Sequence, residues 1–222
     1  MSGPVVPPDD DADATPPPVI TPRRLRRTLL VVAGLNLGYF GIEAAVALAI
    51  GSVSLLADSV DFLEDTAVNL LVVLALGWSL RARARTGKVL AVVILLPALA
   101  AAWEAFDKAG HPAPPEPLAL ALTAGGAAVV NGICALILLR VRAHGGSLTH
   151  GAWLAARNDV LVNLAIIAVG GLTAWTSSGW PDIVLGVGII ALNVTAAREV
   201  WEVAESETVA ARALAGEDID DD

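Results

Sequence analysis

Six apolar stretches fill most of this 222-residue sequence, and they limit the folds that it can adopt. They lie near residues 29–50, 54–80, 88–106, 117–140, 150–176 and 181–203. A helix of about 20 residues crosses the roughly 30 Å hydrocarbon core of a bilayer. With 55% hydrophobic and 17% charged residues, the chain is too apolar for a soluble domain. We therefore predict an all-α integral membrane protein, a bundle of six transmembrane helices.

Basic residues indicate which side of the membrane the connecting segments occupy. They cluster before the first stretch, between the second and third, and after the fourth, whereas the opposite segments carry only Lys108. Because Arg and Lys are retained on the cytoplasmic side, both termini should be cytoplasmic. The connections are short, so consecutive helices should be antiparallel neighbours. We expect a multi-pass protein of the cell membrane.

The two ends of the sequence differ from the rest in composition. Residues 1–28 are acidic and rich in proline, and they lack the basic start and short apolar core of a cleavable signal peptide. We expect a disordered cytoplasmic tail there and a short acidic cytoplasmic tail at residues 205–222. The six-helix domain between them covers residues 29–204, and we expect no second domain after it.

Three aspartates, Asp58, Asp61 and Asp65, lie inside the second apolar stretch. At 100° per residue of helix, Asp65 and Asn69 lie about 20° on either side of Asp58. Asp61 lies about 60° from Asp58, so the four side chains share a stripe. Because a carboxylate in hydrocarbon costs at least a few kcal/mol, the stripe should face the bundle interior and bind a cation, move protons or do both. For Asp58, nearer the extracellular end, a capping or packing role stays open.

The fifth stretch carries one acid, Asp159, with Asn158 beside it. Asp65 lies roughly 16 Å from the outer edge of the second stretch, and Asp159 lies roughly 14 Å from the inner edge of the fifth. These depths together equal the thickness of the hydrocarbon core. We therefore expect Asp65 and Asp159 to meet near the membrane midplane if the two helices are neighbours.

Other polar residues in the apolar stretches are open to simpler interpretations. Asn36 and Asn131 are typical of hydrogen bonding between membrane helices. For Glu43, a proton-handling role and a structural role both stay open. Glu64 lies about 100° from Asp65 and would at most line the edge of the same cavity.

With these residues in view, the sequence resembles the transmembrane domain of the cation diffusion facilitator (cation efflux) family of divalent metal transporters. The run GSVSLLADSVDFLED is similar to the family's glycine-serine turn, its leucine-alanine-aspartate segment and its paired metal ligands. Asn36, Glu43, Asn131 and the segments AWLAARNDVLVN and WPDIVLGVGII also fit the family pattern. The resemblance implies that Asp61 and Asp65 are metal ligands and that Asp159 is a third.

The sequence departs from the family pattern at two points. One turn before Asp159 the family commonly has a histidine ligand, whereas this chain has Ala155. The usual cytoplasmic metal-binding domain after the sixth stretch is not expected either. A set of carboxylates without imidazole is harder than a typical zinc site and would accept Mn²⁺, Co²⁺, Fe²⁺ or Mg²⁺ as readily as Zn²⁺, with Cd²⁺ in the same class of substrates. Asp58, Asn158 and water are candidates to complete the shell.

The resemblance implies a secondary transporter that exports a divalent metal cation in exchange for protons. Protons and metal would compete for the same clustered carboxylates, which is the physical basis of antiport. Two alternatives stay open: a proton-coupled carrier of a non-metal solute, and a non-transporting membrane subunit that partners a complete transporter. We expect a lipid bilayer as the surroundings and leave a homodimer open. We expect no enzyme activity, no resident cofactor and no nucleic-acid partner.

Overall fold

The computed structural model describes residues 21–75, 77–141 and 146–215, and these residues form six α-helices without a strand. The helices are α1 (Pro22–Ile50), α2 (Val53–Ala75), α3 (Leu80–Gly110), α4 (Pro117–Leu139), α5 (Gly146–Thr176) and α6 (Trp180–Ala215). The all-α class is therefore confirmed. The acidic runs of the two expected tails, at residues 9–13 and 217–222, lie outside the described residues.

α2 differs from the other five helices in its charge. α1, α3, α4, α5 and α6 are long and apolar enough to cross a membrane, judged by length and composition over the described part of the chain. α2 has 23 residues, and at 1.5 Å per residue its length of about 34 Å would also suffice. Its acids, Asp58, Asp61, Glu64 and Asp65, set it apart in composition. The described chain thus contains five candidate spans, against the six that the sequence predicts.

The acidic helix lies at the centre of the bundle. α2 packs against α1, α3, α5 and α6, while α3 pairs with α6, and α4 packs on α5 and α1. Every side chain from residue 53 to residue 60 is buried. The outer helices instead expose large apolar side chains, such as Leu99 at 65% and Trp175 at 83%. This arrangement presents apolar surface to the surroundings and keeps the acids of α2 inside the protein.

A single glycine turns the chain from α1 into α2. Gly51 has a φ of 61°, in the left-handed region where a residue without a Cβ is favoured, and its N–H donates to the carbonyl of Ala47. Only Gly51 and Ser52 separate the two helices. Because the turn is this short, α1 and α2 must pack as neighbours.

The carboxylate of Asp182, at the start of α6, holds the first residues of α2. It accepts hydrogen bonds from the hydroxyls of Ser52 and Ser54 at 2.7 and 2.6 Å. It also accepts from the backbone N–H groups of Val53 and Ser54 at 2.8 and 3.2 Å. The first N–H groups of a helix have no partner within the helix, and a carboxylate near them is favoured by the helix dipole. Asp182 therefore acts as a cap for α2 although the two are more than 120 residues apart in sequence.

Two further contacts bring α3 and α6 to the same end of α2. The Nζ of Lys108, near the end of α3, lies 3.9 Å from Asp182 and donates to the carbonyl of Gly51. On α6, a Cβ added to Gly186 would lie 2.5 Å from the Cγ1 of Val53 and 2.8 Å from the N of Ser54. Only glycine allows so close an approach. The start of the central helix is thus packed tightly against α6.

Two charged segments that the sequence places outside the spans are helical and pair with each other. The basic connection at residues 81–88 forms the first turns of α3, which begins at Leu80, and residues 205–215, expected in the acidic tail, extend α6. Ion pairs join Arg83 with Glu207 and Lys88 with Glu205 across these two extensions. Hydropathy identifies only the apolar part of such helices, because their ends are stabilised by contacts between helices.

Two other boundaries also differ from the sequence prediction. Residues 22–28, expected in the first tail, belong to α1, which the side chain of Thr21 caps and which begins with Pro22. The second stretch, expected to continue to residue 80, ends as a helix at Ala75. Ser79 then caps α3 by accepting a hydrogen bond from the N–H of Ala82.

Replacing Asp182 with alanine should lower the free energy of unfolding by roughly 3 kcal/mol, because it leaves buried donors of Ser52, Val53 and Ser54 without an acceptor. Denaturation of the purified protein in detergent micelles measures this. Asp107→Ala, which removes an exposed acid near the end of α3, is the matched control. Equal stability of the two variants would show that Asp182 does not hold α2.

Candidate functional site

Asp61 and Asp65 of α2 and Asp159 of α5 line one cavity of about 190 Å³. The remaining lining residues are Glu64, Ala155, Asn158, Val162, Leu192 and Asn193. The two helices therefore bring together Asp65 and Asp159, which the sequence places at one depth, and Asp61, which it places on the same face as Asp65. Ala155 lines the same cavity, one turn before Asp159, where the family commonly has a histidine.

A second cavity of about 330 Å³ adjoins the first, between α2, α3, α5 and α6. Glu64, Asp65 and Ala155 line both cavities. The far wall of the larger one includes Glu207, whose ion pair with Arg83 joins the extensions of α3 and α6. The carboxylates can thus be reached from the end of the bundle where α3 begins and α6 ends.

Asp65 is held in place by both its side chain and its backbone. Its carboxylate accepts a hydrogen bond from the Nδ2 of Asn36 at 3.1 Å. Its carbonyl accepts one from the Nδ2 of Asn69 at 2.8 Å, which explains why Asn69 lies on the polar stripe. Asp65 is 4% exposed and Asn36 is fully buried. Asp65 is therefore the fixed member of the carboxylate set.

Asp61 and Asp159 lack such anchors. Over the described chain, no donor is hydrogen-bonded to either carboxylate, and both side chains are partly exposed. Within the described chain, the charged groups that act on Asp61 are the acids Asp58, Glu64, Asp65 and Asp159. With no Arg or Lys among these neighbours, the field in the cavity attracts cations.

The three carboxylates share a cavity without closing a coordination shell. In the described ranges, no group of three or more His, Cys, Asp or Glu side chains is arranged to hold a metal ion. A cation that bridges the set would require the unanchored Asp61 and Asp159 to move toward Asp65. Their assignment as metal ligands therefore stays a prediction.

The two additional candidates lie at the margins of this site. Asp58 does not line the cavity. It is fully buried beside Glu43, which is also fully buried, and neither carboxyl receives a hydrogen bond of good geometry from the residues that the structure describes. Asn158 lines the cavity, but its side chain is exposed and accepts from Arg157 at 3.4 Å. Neither residue occupies a position as central as that of Asp61, Asp65 or Asp159.

The structure adds to the site one residue that the sequence placed at its edge and two that the sequence did not indicate. Glu64 lines both cavities rather than a mere edge, and Glu199 of α6 lines the larger one. Asn193, also on α6, lines the smaller cavity and donates from its Nδ2 to the carbonyl of Ala57 at 2.8 Å. Asn193 follows Asp182 by 11 residues, which places both within about 20° on one face of α6. This spacing is the sequence feature that could have indicated a polar face on α6 directed toward α2.

Among models of known protein families, that of the cation efflux transmembrane domain matches residues 29–206 of this chain. This match confirms the family that the sequence resembles. No curated protein matches the chain. Members of the matched family are transporters rather than enzymes, and the apolar helices agree with a multi-pass membrane protein.

A cysteine at position 155 should react readily with a water-soluble maleimide, because a thiol needs access to water to react and this position faces both cavities. The parent protein supplies the control, since its single cysteine, Cys134, is fully buried. Mass spectrometry of the detergent-purified Ala155→Cys variant would count the labels. Labelling as slow as that of Cys134 would contradict an accessible cavity.

Proposed function

Because this chain belongs to the cation efflux family, we propose that it exports a divalent metal cation across the cell membrane in exchange for protons. The observation that carries the proposal is the placement of Asp61, Asp65 and Asp159 in one cavity at the centre of an otherwise apolar bundle. Acids in such a place are costly, and in membrane proteins they mark ion pathways. We take α2 as the sixth crossing, shielded from lipid by its neighbours.

The donors of the cavity favour a hard or borderline cation. Carboxylate oxygens are offered by Asp61, Asp65 and Asp159, with Glu64 also in the wall, and amide oxygens are offered by Asn158 and Asn193. Among the described residues, neither an imidazole nor a thiolate lines the smaller cavity. Such a set suits Mn²⁺, Mg²⁺, Fe²⁺ or Co²⁺ at least as well as Zn²⁺. Since Ala155 offers no ligand, we expect water to complete the shell.

The different surroundings of the two ends of α2 support a transport cycle in which the site opens alternately to each side of the membrane. The larger cavity provides a route to the carboxylates from the side on which the sequence predicts the cytoplasm. At the opposite end, Asp182 and Gly186 hold α6 against the start of α2. Rearrangement of these packed helices would expose the site to the other side, as in other secondary transporters.

Exchange with protons follows from the chemistry of the proposed ligands. A carboxylate that binds a metal must be deprotonated, so metal binding releases protons and protons displace metal. The charged neighbours of Asp61 in the described ranges are acids, so the set offers several negative charges that either kind of cation can neutralise. A proton gradient directed into the cell would then drive metal outward.

Reconstituted protein should accumulate Mn²⁺ or Zn²⁺ in vesicles under an imposed pH gradient, with protons moving in the opposite direction. Asp61→Asn, Asp65→Asn and Asp159→Asn should each lower the rate at least about 10-fold, since even groups that only support metal ligands contribute that much. A fluorescent metal indicator and a pH dye inside the vesicles would measure both fluxes. Asp107→Asn, exposed on α3, is the control.

Three outcomes would reject the proposal or its site. If the three variants transport as well as the parent, the assigned carboxylates do not carry the cation. Saturable transport of an organic solute without metal binding would favour the non-metal carrier. A pure protein that moves nothing until a copurifying membrane protein is added would favour the non-transporting subunit.

The variant Ala155→His should shift metal preference toward Zn²⁺ relative to Mn²⁺, because it places an imidazole beside the carboxylates and Zn²⁺ favours nitrogen ligands. Competition titrations of the purified protein with the two metals would give the ratio of dissociation constants. Ala165→His, 10 residues farther along α5 and not among the lining residues of either cavity, controls for a histidine on the same helix. An unchanged ratio in Ala155→His would show that position 155 does not contribute to the site.

A further inference from the structure

We propose that Asn36 is a positioning residue that favours binding of the transported cation through a single oxygen of Asp65, and that this preference helps to set which cation is bound. The inference rests on the proposed function, since it describes how the same site selects its substrate. It begins from the hydrogen bond between the Nδ2 of Asn36 on α1 and the Oδ2 of Asp65 on α2, 3.1 Å long.

The chemistry of its neighbours fixes the orientation of the Asn36 amide. A carboxylate only accepts hydrogen bonds, so the NH₂ end of the amide must face Asp65. At the other end, the Sγ of Cys134 on α4 donates to the Oδ1 of Asn36 at 3.4 Å. Cys134 is fully buried, as is Asn36. Residues of three helices thus form one chain of hydrogen bonds that ends on an oxygen of Asp65.

The backbone around Asp65 is held at the same level. The hydroxyl of Thr66, the next residue, lies within 3.4 Å of the carbonyl of Ala33 on α1. Asn69 donates to the carbonyl of Asp65 itself. Rotation of the Asp65 side chain, or movement of its helix turn, would break contacts of buried groups that have no water to replace them.

The other two carboxylates are not restrained in this way. Asp61 and Asp159 line the same cavity, and in the described part of the chain their carboxylates accept no hydrogen bond. A cation therefore meets one fixed ligand and two adjustable ones. Because Asn36 takes up one of the two lone pairs of Oδ2, Oδ1 is the oxygen of Asp65 that keeps both lone pairs for the cation.

A single oxygen from Asp65 limits the coordination number that the site can offer. Ca²⁺ takes 6–8 oxygen ligands and commonly binds a carboxylate through both oxygens, whereas smaller divalent cations accept fewer ligands. Keeping Oδ2 on Asn36 should disfavour the larger ion. Groups that orient a metal ligand typically contribute about 10–100-fold to affinity.

Calorimetric titration of the purified full-length protein with Mn²⁺ and with Ca²⁺ tests this inference. Asn36→Leu, which keeps the size and removes the donor, should weaken Mn²⁺ binding roughly 10–100-fold and narrow the preference for Mn²⁺ over Ca²⁺. Thr173→Val is the matched control. It likewise removes a buried polar group, here a hydroxyl without a hydrogen-bond partner among the described residues, and it lies 14 residues from Asp159 on α5. It should leave both affinities unchanged.

A second pair of variants covers the case in which Asn36→Leu does not fold. Asn36→Gln and Asn36→Met have similar shape, and only the glutamine carries an amide donor. If Asn36→Gln binds Mn²⁺ more tightly than Asn36→Met and prefers Mn²⁺ over Ca²⁺ more strongly, the inference is supported. Equal affinities and equal preferences in the two variants would overturn it. So would an Asn36→Leu variant that binds as the parent does or loses both metals in equal proportion. If the parent binds neither Mn²⁺ nor Ca²⁺, the titration is repeated with Zn²⁺ and Co²⁺, and a parent that binds none of the four metals would show that the proposed function itself fails.

Discussion

The cost of placing carboxylates in hydrocarbon is the constraint on which the rest of this bundle depends. α2 carries four acids over two turns, and such a helix cannot face lipid. It is surrounded by α1, α3, α5 and α6, so its acids face protein and internal cavities. The apolar outer helices are the consequence, since they must cover the central helix on one side and meet the surroundings on the other.

The central helix is held differently at its two ends, and this difference suits a transporter. At its start, Asp182 accepts hydrogen bonds from Ser52, Val53 and Ser54, which join α2 to α6. Farther along, Glu64 and Asp65 border an accessible cavity. An arrangement open to the opposite side requires either that the contacts of Asp182 break or that α2 and α6 move together. In the proposed transport cycle, the contacts of Asp182 therefore determine whether α2 moves alone or together with α6.

Periodicity and depth predicted the parts of the site that depend on a single helix or on bilayer thickness. They placed Asp61 and Asp65 on one face and Asp159 at the same level, and the three line one cavity. They could not predict the contacts that depend on the rotation of one helix against another, such as Asn36 with Asp65 or Glu43 with Asp58. Helix ends were missed for a similar reason, because ion pairs between helices stabilise the charged turns of α3 and α6 that hydropathy excludes.

The central claim is that Asp61, Asp65 and Asp159 together bind the transported cation. Anomalous X-ray scattering from crystals of the full chain grown with Mn²⁺ would locate the metal directly. We predict one strong peak in contact with oxygens of all three carboxylates, with the hydrogen bond from Asn36 to Asp65 retained. A metal bound instead beside Glu199 and Glu207 in the larger cavity, with none between α2 and α5, would contradict the claim.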